Sequence, residues 1–256
     1  MQIEIEGAVA TVRVDNPPVN ALADAVIDAL GEAAARLAAE EGVRAVVLTG
    51  EGERTFLAGA DLNEFEASLG DAEAMAAHAG LTREVFGAWA ALPVPVVAAV
   101  SGHATGGGLE MALLCDLIVA DPRARLGLPE ITLGLIPGAG GTQRLPRRVG
   151  RGLATRMLLT GALLDAGEAL AAGLVDQVSE PGEALSAAHE LAARLARASG
   201  PAIRAGKAAL RAATTEPLDR GLERERDLFL AVAAGADARE GVTAFMAKRR
   251  PEFRHR

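Results

Sequence analysis

Residues 97–110 read VAAVSGHATGGGLE, in which an apolar run leads directly into three glycines and an acidic residue. The run Val96–Val100 has the pattern of a strand that is buried on both faces. Gly106–Gly108 follow it, and a helix is predicted to open over 108–115. Glycines at such a junction let backbone N–H groups approach a ligand, and the helix N-terminus adds a positive dipole end. An oxygen that gains negative charge would be stabilised there, as in an oxyanion hole.

Two further glycine-rich segments stand on either side of this one, at residues 57–62 and 134–142. An oxyanion hole needs a second N–H donor from elsewhere in the chain. The segment 57–62 is the best candidate because it follows another predicted strand. Gly59 by itself fits a simple tight turn equally well, so the residues alone leave both interpretations open.

Two acidic residues lie beside these glycines. Glu110 falls in the first turn of the predicted helix, where acidic residues are also common for dipole reasons alone. Glu130 is flanked by apolar residues and fits an exposed loop residue as well; if it is buried, the apolar setting would raise its pKa and suit a general acid near neutral pH. Two carboxylates beside an oxyanion hole would let one hold a water while the other exchanges a proton with carbon.

The rest of the chain predicts an α/β fold with parallel strand pairing, because helices alternate with short buried strands. Residues 2–14 predict a hairpin of two half-buried strands, and the last quarter of the chain is almost entirely helical. The other predicted strands are 43–48, 117–120, 125–127 and 174–178. The other predicted helices are 21–41, 72–91, 183–198, 201–213, 218–234 and 237–248.

Composition limits the possible functions. The 256 residues are 50% hydrophobic, which is enough for a substantial folded core, and the net charge of −8 argues against nucleic acid as a main ligand. The single cysteine, Cys115, lies in an apolar run and predicts a small buried side chain in a reducing compartment. Met1–Glu6 is alternating and acidic, unlike a signal peptide, and no apolar run approaches the length of a membrane span. We therefore expect a cytoplasmic protein that does not enter a membrane.

Other chemistries that glycines, serines or histidines could indicate are not supported. A dinucleotide-binding G-x-G-x-x-G would need glycine at Gln143 or Met111. A P-loop would need a lysine after its glycines, and the two lysines, Lys207 and Lys248, are not near such a pattern. Ser101 lacks the Gly-x-Ser-x-Gly setting of a nucleophile elbow. The four histidines are scattered without metal-ligand spacing, so we expect no metal site.

Residues 97–110 with the following Cys115-Asp116 resemble the signature segment of the crotonase (enoyl-CoA hydratase/isomerase) superfamily. Residues 126–145, LGLPEITLGLIPGAGGTQRL, resemble the adjoining segment in its hydratase form, and 56–62, FLAGADL, resembles the earlier family loop. Shorter matches at 159–161, 172–175 and 245–253 extend the resemblance over essentially the whole chain.

The resemblance implies an enoyl-CoA hydratase, a carbon–oxygen lyase that adds water syn to a trans-2-enoyl-CoA and gives a 3-hydroxyacyl-CoA in fatty-acid or related acyl-CoA degradation. In the family pattern Glu110 would activate the water and Glu130 would deliver a proton to C2. The oxyanion hole would be formed by the backbone N–H groups of Ala60 and Gly107. No dissociable cofactor is expected, because coenzyme A is part of the substrate.

The resemblance also implies CoA contacts. The matching positions are Ala58, Asp61, Leu62, Asn63, Phe245 and Lys248. Asn63 departs from the family pattern, since hydratases often carry a lysine there that could contact the CoA phosphates or adenine. Phe245 and Lys248 match a C-terminal Phe-x-x-Lys that reaches the CoA nucleotide of a neighbouring subunit, although Lys248 also fits an exposed charge at a helix end.

The fold implied is a crotonase-like spiral of β-β-α units over 1–196, which holds the active site, followed by a helical trimerisation region over 197–256. A homotrimer or a dimer of trimers is therefore expected. Two alternatives stay open: an enoyl-CoA isomerase or another acyl-CoA enzyme of the family, and a non-catalytic RNA-binding or scaffold member. The charge of −8 and the paired glutamates speak against the latter.

Overall fold

A computed structural model describes residues 1–255, which contain ten strands, eleven α-helices and one short 3-10 helix over Glu130–Leu133. The strands are β1 (Gln2–Glu6), β2 (Val9–Val14), β3 (Ala45–Gly50), β4 (Thr55–Leu57), β5 (Val96–Val100), β6 (His103–Thr105), β7 (Leu117–Ala120), β8 (Arg125–Gly127), β9 (Leu164–Asp165) and β10 (Gln177–Val178). The helices are α1 (Asp24–Ala39), α2 (Leu62–Ser68), α3 (Ala72–Ala91), α4 (Gly107–Ala112), α5 (Gly141–Val149), α6 (Arg151–Thr160), α7 (Ala166–Ala171), α8 (Ala184–Ala196), α9 (Gly200–Thr215), α10 (Leu218–Ala233) and α11 (Ala236–Met246).

The strands form two sheets that are built by the same repeated unit. The larger sheet has the order β1-β2-β3-β5-β7-β10 and the smaller one β4-β6-β8-β9. In each of the pairs β3/β4, β5/β6 and β7/β8 the first strand enters the larger sheet and the second the smaller, before the chain turns into helix. All pairings are parallel except β1 with β2 and β8 with β9. This is the predicted α/β architecture of successive β-β-α units.

The larger sheet is buried because apolar layers cover both of its faces. Every residue of β3 and β5 is buried. Val46, Leu48 and Ala98 contribute to the main core, whereas Val47 and Ala99 face a second cluster. That second cluster is closed by α8, whose small apolar side chains allow it to lie close to the sheet.

The structure corrects several predicted boundaries. The N-terminal strands are not both half-buried: β1 is mostly exposed at the sheet edge, whereas β2 is buried because it pairs with both β1 and β3. The helix predicted from residue 21 begins at Asp24, since Leu22 is used in a bridge to Ala60. The strand predicted over 174–178 is reduced to β10, because Leu174 and Val175 are buried in the main core instead.

The C-terminal helices are joined to the rest of the chain by polar anchors. Lys207 on α9 donates to the Asp116 carboxylate at 2.6 Å and to the carbonyl of Val94 at 2.9 Å. Beyond α9, helix α10 buries none of its residues against the rest of the described chain. The predicted division at 196/197 falls between α8 and α9 and stays a prediction. Among the helices of residues 1–255, none is both long and apolar enough to cross a membrane.

Candidate active site

Two backbone segments from different β-β-α units face each other at the ends of β4 and β6. A Cβ atom on Gly59 would lie 3.6 Å from the Gly107 nitrogen, and one on Gly106 would lie 3.3 Å from the Gly59 Cα. The two segments are therefore in close contact, and Gly106 leaves little room for a side chain between them. Within residues 1–255, neither the Ala60 N–H nor the Gly107 N–H donates to a protein acceptor. Both backbone donors are therefore left without a protein acceptor, in two segments that lie close together at Gly59 and Gly106–Gly107.

Glu110 lies in the first turn of α4, directly behind this pair of amides, and is only 3% exposed. Its Oε1 accepts hydrogen bonds from the Ala139 N–H at 2.8 Å and the Gly141 N–H at 2.7 Å. Its Oε2 is turned toward the glycine segment, since a Cβ on Gly107 would lie 3.9 Å from it. One carboxylate oxygen is therefore fixed by the protein, and the other remains available to a reactant.

The environment of Glu110 acts on its pKa in opposite directions. Burial raises the pKa, because the ionised carboxylate loses its water. The two backbone donors and the positive charge of Arg144 lower it. The net effect is a raised pKa on a carboxylate whose ionised form nevertheless has dedicated hydrogen-bond donors.

Glu130, at the start of the 3-10 helix, also approaches this glycine segment. A Cβ on Gly106 would lie 3.2 Å from its Oε1. Its Oε2 is buried and has no hydrogen-bond partner in the part of the chain that the structure describes. Burial raises the pKa of Glu130 to about 7, and the negative charge of Glu110 adds to this effect. A partly buried carboxyl with one unpartnered oxygen and with such a pKa is suited to proton transfer near neutral pH.

The arrangement thus combines unengaged backbone amides with two carboxyl groups in different environments. Two backbone donors hold Oε1 of Glu110, whereas Oε2 of Glu130 has no donor within residues 1–255. Environments that separate two carboxyl groups in this way are typical of acid/base pairs. The site can polarise a carbonyl group while one carboxylate accepts a proton and the other gives one.

Comparison with known proteins agrees with this geometry. The sequence model of the enoyl-CoA hydratase/isomerase family matches residues 4–256. The chain belongs to this family. It is similar to the 2,3-dehydroadipyl-CoA hydratase of Escherichia coli (strain K12), with 45% identity over 93% of this chain and 91% of that protein. It is also similar to a probable enoyl-CoA hydratase of Rhizobium meliloti (strain 1021), with 40% identity over 99% of this chain and 97% of the relative.

Solved structures give the same result for the fold. Pseudomonas aeruginosa DspI superimposes with a TM-score of 0.95 and 40% identity, over 99% of this chain and 96% of that one. The enoyl-CoA hydratase of Bacillus anthracis superimposes with a TM-score of 0.94 and 35% identity, over 100% of this chain and 99% of that one. The predicted superfamily and its fold are therefore confirmed.

The residues that the family pattern assigns to CoA near the first loop lie together at the N-terminus of α2. Asp61 caps this helix by accepting from the Asn63 N–H at 2.9 Å, and the Asn63 side chain donates to the same oxygen at 3.1 Å. Ala58 is half-buried and Leu62 is exposed. The uncharged Asn63, where family members often carry lysine, thus reinforces the helix cap.

Phe245 and Lys248 lie apart from this group in the single chain. Phe245 is 82% exposed near the end of α11, and its carbonyl accepts from the Lys248 N–H at 3.1 Å. Among residues 1–255 no hydrogen bond links either residue to the glycine segments. The fold brings Glu110, Glu130, Ala60 and Gly107 together, and leaves this C-terminal pair facing outward.

Several residues that shape the site were not predicted. Ala139 and Gly141 fix Glu110, and Arg144 contributes positive charge while its Nη1 donates to the Ala139 carbonyl at 3.3 Å. The signal for these residues in the sequence is the third glycine-rich segment, 134–142. Gly141 is needed because a Cβ there would lie 3.1 Å from the Glu110 carboxylate and 2.8 Å from the Leu128 side chain.

Proposed function

We propose that this protein is an enoyl-CoA hydratase, which adds water to a trans-2-enoyl-CoA and gives a 3-hydroxyacyl-CoA. The observation that carries the proposal is the convergence of Glu110 and Glu130 on the glycine segment that supplies a free backbone N–H. The names of the similar proteins, which include a crotonyl-CoA hydratase and a short-chain-enoyl-CoA hydratase, support it. The proposed reaction would be a step in fatty-acid or related acyl-CoA degradation.

In the proposed reaction the thioester carbonyl accepts hydrogen bonds from the Ala60 and Gly107 N–H groups. This draws electrons from the double bond and makes C3 electrophilic. Glu110 takes a proton from water as the water oxygen bonds to C3, and Glu130 gives its proton to C2. This step leaves Glu110 protonated and Glu130 ionised, so Glu110 releases its proton to solvent and Glu130 takes one up before the next turnover. No dissociable cofactor is required, because the thioester provides the activation.

The different environments of the two carboxyl groups support this assignment. Fixed N–H donors to one oxygen of Glu110 favour the ionised form that must attract a proton. The pKa of about 7 keeps a protonated fraction of Glu130 at neutral pH. Because both groups approach one glycine segment, the oxygen and the proton would reach the same face of the double bond, which gives syn addition.

The proposal is tested by following the loss of ultraviolet absorbance as crotonyl-CoA is hydrated. We expect Glu110→Gln and Glu130→Gln each to lower kcat by about 10²–10⁴-fold, because each removes one proton-transfer group. Glu32→Gln, a change at an exposed position of α1, is the matched control and should keep wild-type activity. Wild-type rates in both active-site variants would reject these roles. Faster turnover of 3-enoyl-CoA than of 2-enoyl-CoA would identify an isomerase instead.

We also propose that the protein assembles as a homotrimer or a dimer of trimers. The support is a set of exposed apolar side chains on helices that lack a covering layer within residues 1–255. These side chains are Leu218, Leu222, Phe229, Leu230, Val242, Phe245 and Met246. A second copy of the chain would bury them, and would let Phe245 and Lys248 contact the CoA bound to its neighbour. Light scattering should give three or six times the chain mass of 26.2 kDa; a monomer at micromolar concentration would refute this.

The CoA contacts of Ala58, Asp61, Leu62 and Asn63 belong to the same proposal. Their position supports it, because α2 starts directly after the Ala60 amide. A cytoplasmic location is proposed from Cys115, the single cysteine of the chain, which is buried as a free thiol. Subcellular fractionation of the producing cell checks this location.

A further inference from the structure

Residues 16–22 form the segment that lies against the Ala60 loop, and they belong to no helix or strand. Most of this segment is exposed or half-buried, and only the side chains of Asn20 and Leu22 are buried. Leu22 provides the apolar contact, since its Cδ1 would lie 2.9 Å from a Cβ on Gly107. Asn20, which is 4% exposed, provides the polar one.

The Asn20 side chain is fully engaged with neighbouring backbone. Its Nδ2 donates to the carbonyls of Glu51 and Thr55 at 3.0 Å and of Phe56 at 3.3 Å, and its Oδ1 accepts from the Asn16 N–H at 3.1 Å. Two of these carbonyls belong to β4, the strand that leads into the Ala60 loop. The side chain therefore fastens the segment 16–22 to the strand that carries the loop.

The backbone of Asn20 and Leu22 forms hydrogen bonds with Ala58 and Gly59, the two residues that precede Ala60. The Ala58 N–H donates to the Asn20 carbonyl at 3.2 Å, and the Leu22 N–H donates to the Gly59 carbonyl at 3.0 Å. These bonds occupy the polar groups next to the Ala60 N–H and leave that N–H free. Its direction is thus set by a segment whose only buried polar side chain is Asn20.

We infer that Asn20 is the positioning residue of the oxyanion hole, which aims the Ala60 N–H at the thioester oxygen. This inference rests on the proposed function. Asn20 has a φ of +53°, a backbone conformation that asparagine tolerates better than most residues. Asn20 therefore contributes in two ways: its side-chain amide forms the hydrogen bonds, and its backbone adopts a positive φ. A substitution can remove the first contribution and keep the second.

Asn20→Gly separates them, because glycine adopts the same φ without cost but lacks the amide. The reporter is a conjugated 2,4-dienoyl-CoA, whose absorbance moves to longer wavelength when hydrogen bonds polarise the thioester carbonyl. We expect the variant to lose most of this shift and about 10²-fold in kcat, since a misdirected donor costs about that much. The KM should change far less. The pH dependence of activity should stay that of the wild type, because Asn20 contacts neither glutamate.

Thr11→Val is the matched control, since it removes a side-chain hydrogen bond of another buried residue, between the Thr11 hydroxyl and His189 at 3.1 Å, away from the loop. It should keep both the shift and the activity. If Asn20→Gly does not fold, Asn20→Ser retains one donor and must show an intermediate shift. A full shift and a wild-type kcat in a folded Asn20 variant would overturn the inference while the proposed function stands. Equal losses in Thr11→Val would overturn it too. A wild-type protein that binds the dienoyl-CoA without a shift and hydrates no enoyl-CoA would overturn both.

Discussion

Replacing Glu130 by glutamine should stabilise the folded protein at alkaline pH, even though it removes a proposed catalytic residue. Burial raises the pKa of Glu130 from its ordinary value of 4.5 to about 7. The folded state therefore holds this proton more tightly than the unfolded chain. As the pH rises from about 4.5 to about 7, this carboxyl ionises in the unfolded chain while it stays protonated in the folded state. The free energy of unfolding therefore falls over this range. Glutamine cannot ionise and avoids this loss.

The magnitude follows from the interval between the two pKa values. At about 1.4 kcal/mol per pKa unit, the interval from 4.5 to about 7 corresponds to about 3 kcal/mol. The side chain is only partly buried, so solvent screening lowers this figure. We expect Glu130→Gln to exceed the wild type in free energy of unfolding by about 1–3 kcal/mol at pH 8. Below pH 4.5, where the carboxyl is neutral in both states, the difference should disappear.

Urea unfolding of both proteins from pH 4 to pH 8, followed by circular dichroism, measures this difference directly. The exposed Glu32→Gln variant is the control, and its difference from the wild type should not vary with pH. A Glu130→Gln variant that is less stable than the wild type at pH 8 would refute the reasoning. A stability difference that stays constant across the range would refute it equally, because the effect would then come from packing.

Three further predictions follow from other contacts. The hydration rate of the wild type should fall as the pH rises through about 7, because Glu130 loses the proton that it must deliver; a rate that keeps rising above that pH would contradict this role. Gly108→Ala should prevent folding, since its Cβ would collide with the carbonyl that ends β4, whereas Gly87→Ala has open space and should express normally. Lys207→Met should lower the free energy of unfolding by about 1–3 kcal/mol, because it leaves Asp116 without its cation; calorimetry that finds an unchanged Tm would contradict this anchor.

The long helices and strands could be predicted from the sequence, and the two glutamates could be singled out from it as candidates. Buried strands such as β3 and β5 were recognisable because both of their faces are apolar, and α3 and α8–α11 because their apolar residues repeat at helical spacing. Glu110 and Glu130 stood out through their apolar and glycine-rich neighbours. The family resemblance, not residue spacing, assigned them roles and indicated that they act together.

Other features depend on contacts between distant parts of the chain. Strands β4 and β6 have three residues each, too few for a periodic pattern, and they are held in the smaller sheet by pairing with each other and, for β6, with β8. Asn20 reads as an ordinary turn residue, since its carbonyl acceptors lie more than 30 positions away. The amides that fix Glu110 come from residues 29 and 31 positions further along the chain. Local propensity does not contain such information.

Gly102 and Gly108 place main chain directly against main chain, since a Cβ at either would collide with the Arg54 or Leu57 carbonyl. The loops that carry the chemistry are thereby fixed to one another and tolerate little change. Helix α2, by contrast, buries none of its side chains within the described chain, although it begins beside the same loops. Residues 65–68 of this helix, which lie beyond the proposed CoA contacts Leu62 and Asn63, can therefore be varied while the main chain of these loops stays in place.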